Sequence, residues 1–351
     1  MASRAGSGPP QVAFVYPNPR AELAAEVVRG EAPDSTLLGQ NHLVAFGIEA
    51  RVHDPALTRR AAGRLRWNLR ELTLPWELGD ADAAFTPLAG LFPLVARARR
   101  RPRVVVVNYG LCTIWERSSG ARRALLGASL RSAAAVVCLG EWQRERLEEQ
   151  TGARATTALL GIDARYFSPR PAPAGGEPYV LAVGKDLARD YANFVEAVRR
   201  LGVRAEIAAY PRNLEGVRLP PGTRARAVSA AELRDLYAGA ACVVVPQRRQ
   251  DYPYGSEGGG LTSLLETLAM ARPLVATDRP ILRDYVADGK TALLVPPEDP
   301  EALADAIRRV LSDDDLARRL GKAGRARVDA ELTTRHFAAR IAPILRAASA
   351  R

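Results

Sequence analysis

Apolar residues fall into two alternating rhythms along the 351 residues. Short aliphatic runs stand at 12–16 (VAFVY), at IEARVHD ending near His53, at 103–108 (RVVVVN) and at 134–139 (AAVVCL). Between them lie stretches whose apolar positions repeat at helical spacing, at about 36–46, 87–99, 113–131 and 141–150. Strands alternating with helices predict a parallel sheet with helices on both faces. The stretch from about 58 to 80 breaks the rhythm and is rich in arginine and tryptophan. It reads as a partly helical, pocket-shaping insertion, with Trp67 and Trp76 in the core or a groove wall. Residues 169–178, PRPAPAGGEP, read as a linker and set the domain boundary. The pattern then restarts with YVLAVG (179–184), a helix over KDLARDYANFVEAVRRL, and strands at about 205–209 and 241–245. The expected division is 1–168, the linker 169–178, a second α/β domain over 179–332, and a closing helical segment 333–351, its helix at about 333–348. No internal repeat is visible.

The second domain holds the stretch with the most chemistry, YPYGSEGGGLTSLLETLAMARPLVAT (252–277). Gly255, Gly258, Gly259 and Gly260 make a loop with little side-chain obstruction. Leu261, Leu264, Leu265, Leu268 and Ala269 give the following helix one apolar face. A bare loop feeding a helix start exposes free N–H groups and the positive end of the helix dipole, which suits a phosphate. Thr262 or Ser263 can serve the first turn. Glu266, about one turn in, can take a sugar hydroxyl beside that phosphate. An ordinary strand–loop–helix turn with a surface glutamate is the plainer alternative. Lys185 follows a strand and Gly184, with Arg189 four positions on; two cations at a strand's carboxyl end can clamp a diphosphate. The alternative for them is a solvated surface pair. Asn108, Tyr109 and Gly110 stand past the carboxyl end of another strand, where ligands of open α/β sheets gather.

Charge and composition change the picture less. The chain is 47% hydrophobic and 25% charged, ordinary for a globular protein, with a net charge of +11. Its only lysines are Lys185, Lys290 and Lys322, so the basicity is arginine dispersed through every helix, which argues against a nucleic-acid footprint. The cluster RARRRPR (97–103) leaves a weak peripheral membrane contact open. No apolar run reaches membrane length and the N-terminus has no apolar leader core, so a cytoplasmic location is expected. Cys112, Cys138 and Cys242 stand far apart and read as structural thiols of a reducing compartment. His42, His53 and His336 have no partners at ligand spacing, and Asp80-Ala81-Asp82 lacks a following signature, so no metal is expected. The hydrolase elbow, the P-loop and a strand-linked G-x-G-x-x-G are all missing.

LLETLAMARPLVAT with DYVADGKTALLVPPEDPEALADAI resembles the C-terminal half of the family 4 retaining glycosyltransferases, which have the GT-B fold. AVGKDLARDYANFVEA resembles the family's diphosphate-binding pattern. Gly161, Asp163, Phe167 and Pro169 match the turn that leads out of its first domain. The resemblance covers about 134–311 and is weak over 1–100. It implies two Rossmann-like domains facing across a cleft, with the last helix crossing back onto the first. It implies transfer of a hexose, with retention, from a nucleoside-diphosphate sugar (UDP-linked) to a hydroxyl of a small acceptor such as a natural-product core, with neither metal nor cofactor. Lys185 and Arg189 would hold the diphosphate, aided by Gly259, Gly260, Leu261 and Thr262. Glu266 would take the ribose hydroxyls, while Asn108, Tyr109 and His42 are candidates on the acceptor side. The leaving phosphate itself would accept the acceptor proton, since no pair of acids at the ~5 Å of a carboxylate-nucleophile scheme can be named. One departure stands out: counting back eight from Glu266 reaches Gly258, and Glu257 sits one place early. A sugar-nucleotide 2-epimerase and a non-catalytic partner subunit remain the competing readings.

Overall fold

The structure, a computed structural model, describes residues 8–54 and 64–350, the stretch 64–69 by its backbone alone. The first sheet contains β1 (Gln11–Val15), β2 (Glu49–His53), β3 (Ala83–Thr86), β4 (Arg103–Asn108), β5 (Ala135–Cys138) and β6 (Ala155–Thr157). The second contains β7 (Tyr179–Val183), β8 (Ala205–Ala208), β9 (Thr223–Arg226), β10 (Ala240–Val245), β11 (Leu274–Thr277) and β12 (Leu293–Val295). Every pairing is parallel, in the orders β2-β1-β3-β4-β5-β6 and β12-β11-β10-β7-β8-β9. Helices cover both faces, which is why Val104–Val107 of β4 are unbroken aliphatic and wholly buried. Each sheet reverses its winding once, between β1 and β3 and between β7 and β10. Crevices open at the carboxyl ends of such switch points. Lys185 and Arg189 follow β7 and the glycine loop follows β10, so one switch point collects both.

Several elements differ from the sequence expectation. The helix expected at about 36–46 is two 3₁₀ turns, Asp34–Leu37 and Gln40–Phe46, parted by Leu38 and Gly39 in left-handed conformations. The segment 113–131 is two helices, Leu111–Glu116 and Gly120–Ser132, because Ser118 and Ser119 interrupt the apolar repeat. The irregular stretch contains a regular helix, Arg64–Glu77, with Pro75 in its last turn. Trp76 on it is 60% exposed, with the Arg99 guanidinium 4.2 Å over its ring, so it is not a core residue. The side chain of Trp67 lies outside the described residues. The arginines of 97–103 sit at the amino end of β4, away from both crevices; Arg101 pairs with Asp82 there.

The last helix, Thr334–Ser349, returns to the first sheet. Thr333 and His336 close its start reciprocally as a capping box. Phe337, Ile341 and Leu345 are buried, and Phe337 meets Phe85 of β3 edge-on at 6.4 Å. Three such side chains stabilise the docking by roughly 1.5–3 kcal/mol each. Ile162 pairs with Thr333 as a parallel bridge, and Gly161 comes so close that a Cβ there would lie 2.2 Å from the Thr333 carbonyl oxygen. One apolar cluster therefore runs without a break from Phe14 and Phe85 through Phe337 to Leu264 and Val245.

Candidate active site

Arg189 is tightly enclosed by backbone. β7 ends at Gly184 (φ +146°) and the glycine loop at Gly260 (φ +100°), and the guanidinium lies in the slot between them. A Cβ on Gly184 would meet Arg189 Nε at 1.8 Å, and one on Gly260 would meet Nη1 at 3.1 Å. No other residue fits either position. Arg189 is 6% exposed; its Nη2 donates to Ser263 Oγ (3.1 Å), while Nε and Nη1 are buried without a partner. An unpaired buried donor costs on the order of 1–3 kcal/mol, more when charged. Lys185 stays exposed, its Nζ 4.8 Å from the Tyr210 ring centroid.

The helix Leu261–Ala269 starts from Gly260 with no side chain capping it. Leu261 N–H turns back to the Gly258 carbonyl (3.4 Å) and Gly259 N–H to Ser256 (3.0 Å), so these two amides serve the loop. Glu266 is buried and its Oε2 accepts from Tyr237 (2.8 Å). Burial pushes its carboxyl up to about 7, against the Tyr237 hydrogen bond and the charges of Lys185 and Arg189. Arg279, whose guanidinium burial drops to about 10, stiffens the loop from behind through Gln250 (2.8 Å). Gln247 donates to the Gly259 carbonyl from the end of β10.

These groups converge on a cavity of about 630 Å³. Gly184, Lys185, Arg189, Gly259, Gly260, Thr262, Ser263 and Glu266 all line it; Leu261 does not, being buried beneath. The first domain closes the far wall with Glu26, Glu31 and Pro33. A second cavity, about 370 Å³, adjoins at Thr36 and Thr262, which line both. It opens at the carboxyl ends of β1, β3 and β4, with Tyr16, Arg20, Pro87 and Tyr109 in its wall. Tyr109 is thus where the expectation put it. Asn108 is not: its side chain is buried beneath the surface, its Oδ1 accepting from the amides of Gly110 (3.0 Å) and Leu111 (2.7 Å). His42 pairs with Asp34 (2.7 Å) and Thr334 (3.2 Å) against the returning helix, and lines neither cavity. Each is engaged by local partners, Asn108 by two loop amides and His42 by Asp34 and Thr334. Among the described residues, no group of three or more His, Cys, Asp or Glu could hold a metal ion.

Glu257 takes an unexpected course. It is 1% exposed and crosses to the first domain. There it accepts from Cys112 N–H (3.0 Å), Thr113 N–H (3.2 Å), Thr113 Oγ1 (2.8 Å) and Gln143 Nε2 (3.1 Å). It caps the helix Leu111–Glu116, whose own N-cap, Gly110, has no side chain. Gln247 and Thr113, and the contacts of Ser263 and Gly184 with Arg189, were not legible from spacing, because each joins segments distant in sequence or is set by backbone geometry.

Two facing parallel α/β domains, a cleft between their carboxyl edges and a returning last helix define the GT-B class. Sucrose-phosphate synthase from Thermosynechococcus elongatus has the same fold, with a TM-score of 0.74 at 20% identity over 96% of this chain and 98% of that one. Anabaena HepE in complex with UDP has a TM-score of 0.68 at 14% identity over 96% and 99%. Residues 225–327 match the family described as "Glycosyl transferases group 1". It is 40% identical over 84 residues to the D-inositol 3-phosphate glycosyltransferase of Corynebacterium urealyticum, 24% of this chain and 18% of that protein. It is 32% identical over 226 residues to the alpha-maltose-1-phosphate synthase of Mycolicibacterium smegmatis, 54% of this chain and 56% of that protein. The matched stretches thus span a fifth to about half of these two relatives.

Proposed function

We propose that the protein transfers a sugar, with retention, from a UDP-linked donor to a hydroxyl of a small acceptor. The observation that carries this is Arg189: a buried guanidinium with two unpaired N–H-bearing atoms, facing a cavity beside an uncapped helix start and a carboxyl group. A diphosphate supplies the missing acceptors. Lys185 and Arg189 hold it, the first-turn amides of Thr262 and Ser263 share its charge, and Glu266 takes the ribose hydroxyls. The bond between the anomeric carbon and the diphosphate oxygen breaks as the acceptor oxygen bonds to that carbon. The acceptor proton passes to the leaving diphosphate. Negative charge grows on the diphosphate during this step, so the cations stabilise the transition state more than the bound donor. UDP as nucleotide is supported by the HepE complex at the level of fold alone. The epimerase and partner-subunit readings draw no support from the relatives named above, each a transferase or a synthase. A cytoplasmic location belongs to the same proposal; Cys112, Cys138 and Cys242 are all free and buried, as a reducing compartment would leave them.

The test is a thermal-shift screen of nucleotide sugars, followed by product analysis with candidate acceptors. UDP-sugars should raise the melting temperature by mass action. A chain that binds no nucleotide sugar would remove this reading.

A further inference from the structure

The smaller cavity has one cation in its wall and, among the described residues, no carboxylate. That cation is Arg20. Its backbone is fixed, because Arg20 N–H and Ala21 N–H donate to the two oxygens of Asp54 (2.7 and 2.9 Å). Its guanidinium lies 5.5 Å from the centroid of the Tyr16 ring and is in no ion pair among the described residues; its Nε is buried without a hydrogen-bond partner. The rest of the wall is largely apolar: Pro17, Leu38, Pro87, Leu160, Ile162 and Leu265. Tyr16 already donates to the Leu37 carbonyl (2.7 Å). Ser35, Thr36 and Thr262 add hydroxyls to that wall, and the positive charge of Arg20 is left without an anion to match it among the described residues. The charge of Arg20 also reaches Tyr109, whose hydroxyl burial pushes up and Arg20 pulls down.

We propose that this cavity is an acceptor subsite in which Arg20 selects a small hydroxylated molecule bearing a phosphate or carboxylate group. The assignment rests on the glycosyltransferase reading. The junction at Thr36 and Thr262 is where the two cavities meet, so the acceptor hydroxyl is presented there to the donor's anomeric carbon, while the anion anchors at Arg20. A planar guanidinium matches either anion with two parallel hydrogen bonds.

The experiment is calorimetry on the full chain saturated with UDP, so that the diphosphate site is occupied. Glucose 1-phosphate, glucuronate and glucose serve as probes, with vesicles containing phosphatidylinositol as a fourth arm. The anionic probes should bind on the order of tenfold to a hundredfold more tightly than glucose, the range of a charge-assisted hydrogen bond. Arg20→Gln should abolish that preference with UDP affinity unchanged, and Arg20→Lys should restore part of it. Preference for the vesicles over the soluble probes would identify the anion as a lipid headgroup. Equal binding of glucose and glucose 1-phosphate, no binding of any anionic probe or vesicle, or a preference that survives in Arg20→Gln would overturn the assignment. Failure of the unmodified chain to bind UDP would instead break the reading beneath it.

Discussion

Glu257 Oε2 accepts the hydroxyl of Thr113 at 2.8 Å across 144 residues of sequence and across the domain boundary. The same carboxylate takes two amides of the helix it caps and the side-chain amide of Gln143. The glycine loop that bears Glu257 is therefore fastened to the first domain through a group next to Gly258.

Glu257→Ala strips that fastening and leaves four donors unmatched in a buried place. Leaving a buried donor without its acceptor costs about 1–3 kcal/mol. Hydrogen exchange should speed up at both 111–116 and 256–260. Unchanged protection in either segment would show that the domains are held closed by other contacts.

Arg189→Ala and Lys185→Ala should lower kcat by more than they raise the donor's KM, since charge accumulates on the leaving diphosphate. Loss of one such electrostatic donor costs on the order of a hundredfold in rate. Gly184→Ala should mimic Arg189→Ala, because the new methyl would occupy the place of Nε. Parent-like turnover in all three would move the diphosphate elsewhere.

Glu266→Ala should weaken nucleotide binding by ~1.5–3 kcal/mol, as expected for a charged acceptor, with the fold retained. The pH dependence follows from the carboxyl pushed up to about 7 by burial. Between its ordinary value and 7 it is protonated in the folded chain and ionised in the unfolded one, so its contribution to stability falls as pH rises through that window. Ribose hydroxyls favour the carboxylate, so UDP-glucose affinity should rise with pH up to and just past 7. Titrations of the parent and of Glu266→Gln check this; the variant should be flat, and an identical slope in both would exclude Glu266 as the group.

Gly161→Ala tests the docking of the last helix. A methyl group 2.2 Å from the Thr333 carbonyl forces the bridge apart. The melting temperature should drop and proteolysis after 332 should accelerate, whereas Gly152→Ala, with open space at its Cβ but φ +65°, should show only local backbone strain.

The strands were legible where the chain is continuously aliphatic, as in β4 and β10, since burial on both faces leaves an unbroken apolar run. β9, with the sequence TRAR, is an edge strand and alternates with arginine, so nothing in its composition marked it. The short helix Ala21–Val28 has no buried residue and hence no strong periodicity to read. Lys185, Arg189 and Glu266 line one cavity because their local patterns of strand end, glycine and helix start meet at one switch point. Asn108 and His42 misled, since position past a strand end or on a helical segment says nothing about which neighbour claims the side chain. Arg20 escaped notice for the same reason in reverse: its importance comes from the walls that other segments build around it.

The chain passes from the first sheet to the second between β6 and β7 and comes back with the last helix, and the Ile162–Thr333 bridge lies where it returns. The outgoing and returning stretches of the chain are thus tied to each other by two backbone hydrogen bonds, Ile162 N–H to the Leu332 carbonyl and Thr334 N–H to the Ile162 carbonyl. Gly161 and Ile162 also wall the smaller cavity, so its shape is set at the crossing itself, while Glu257 ties the two halves together a second time at the glycine loop.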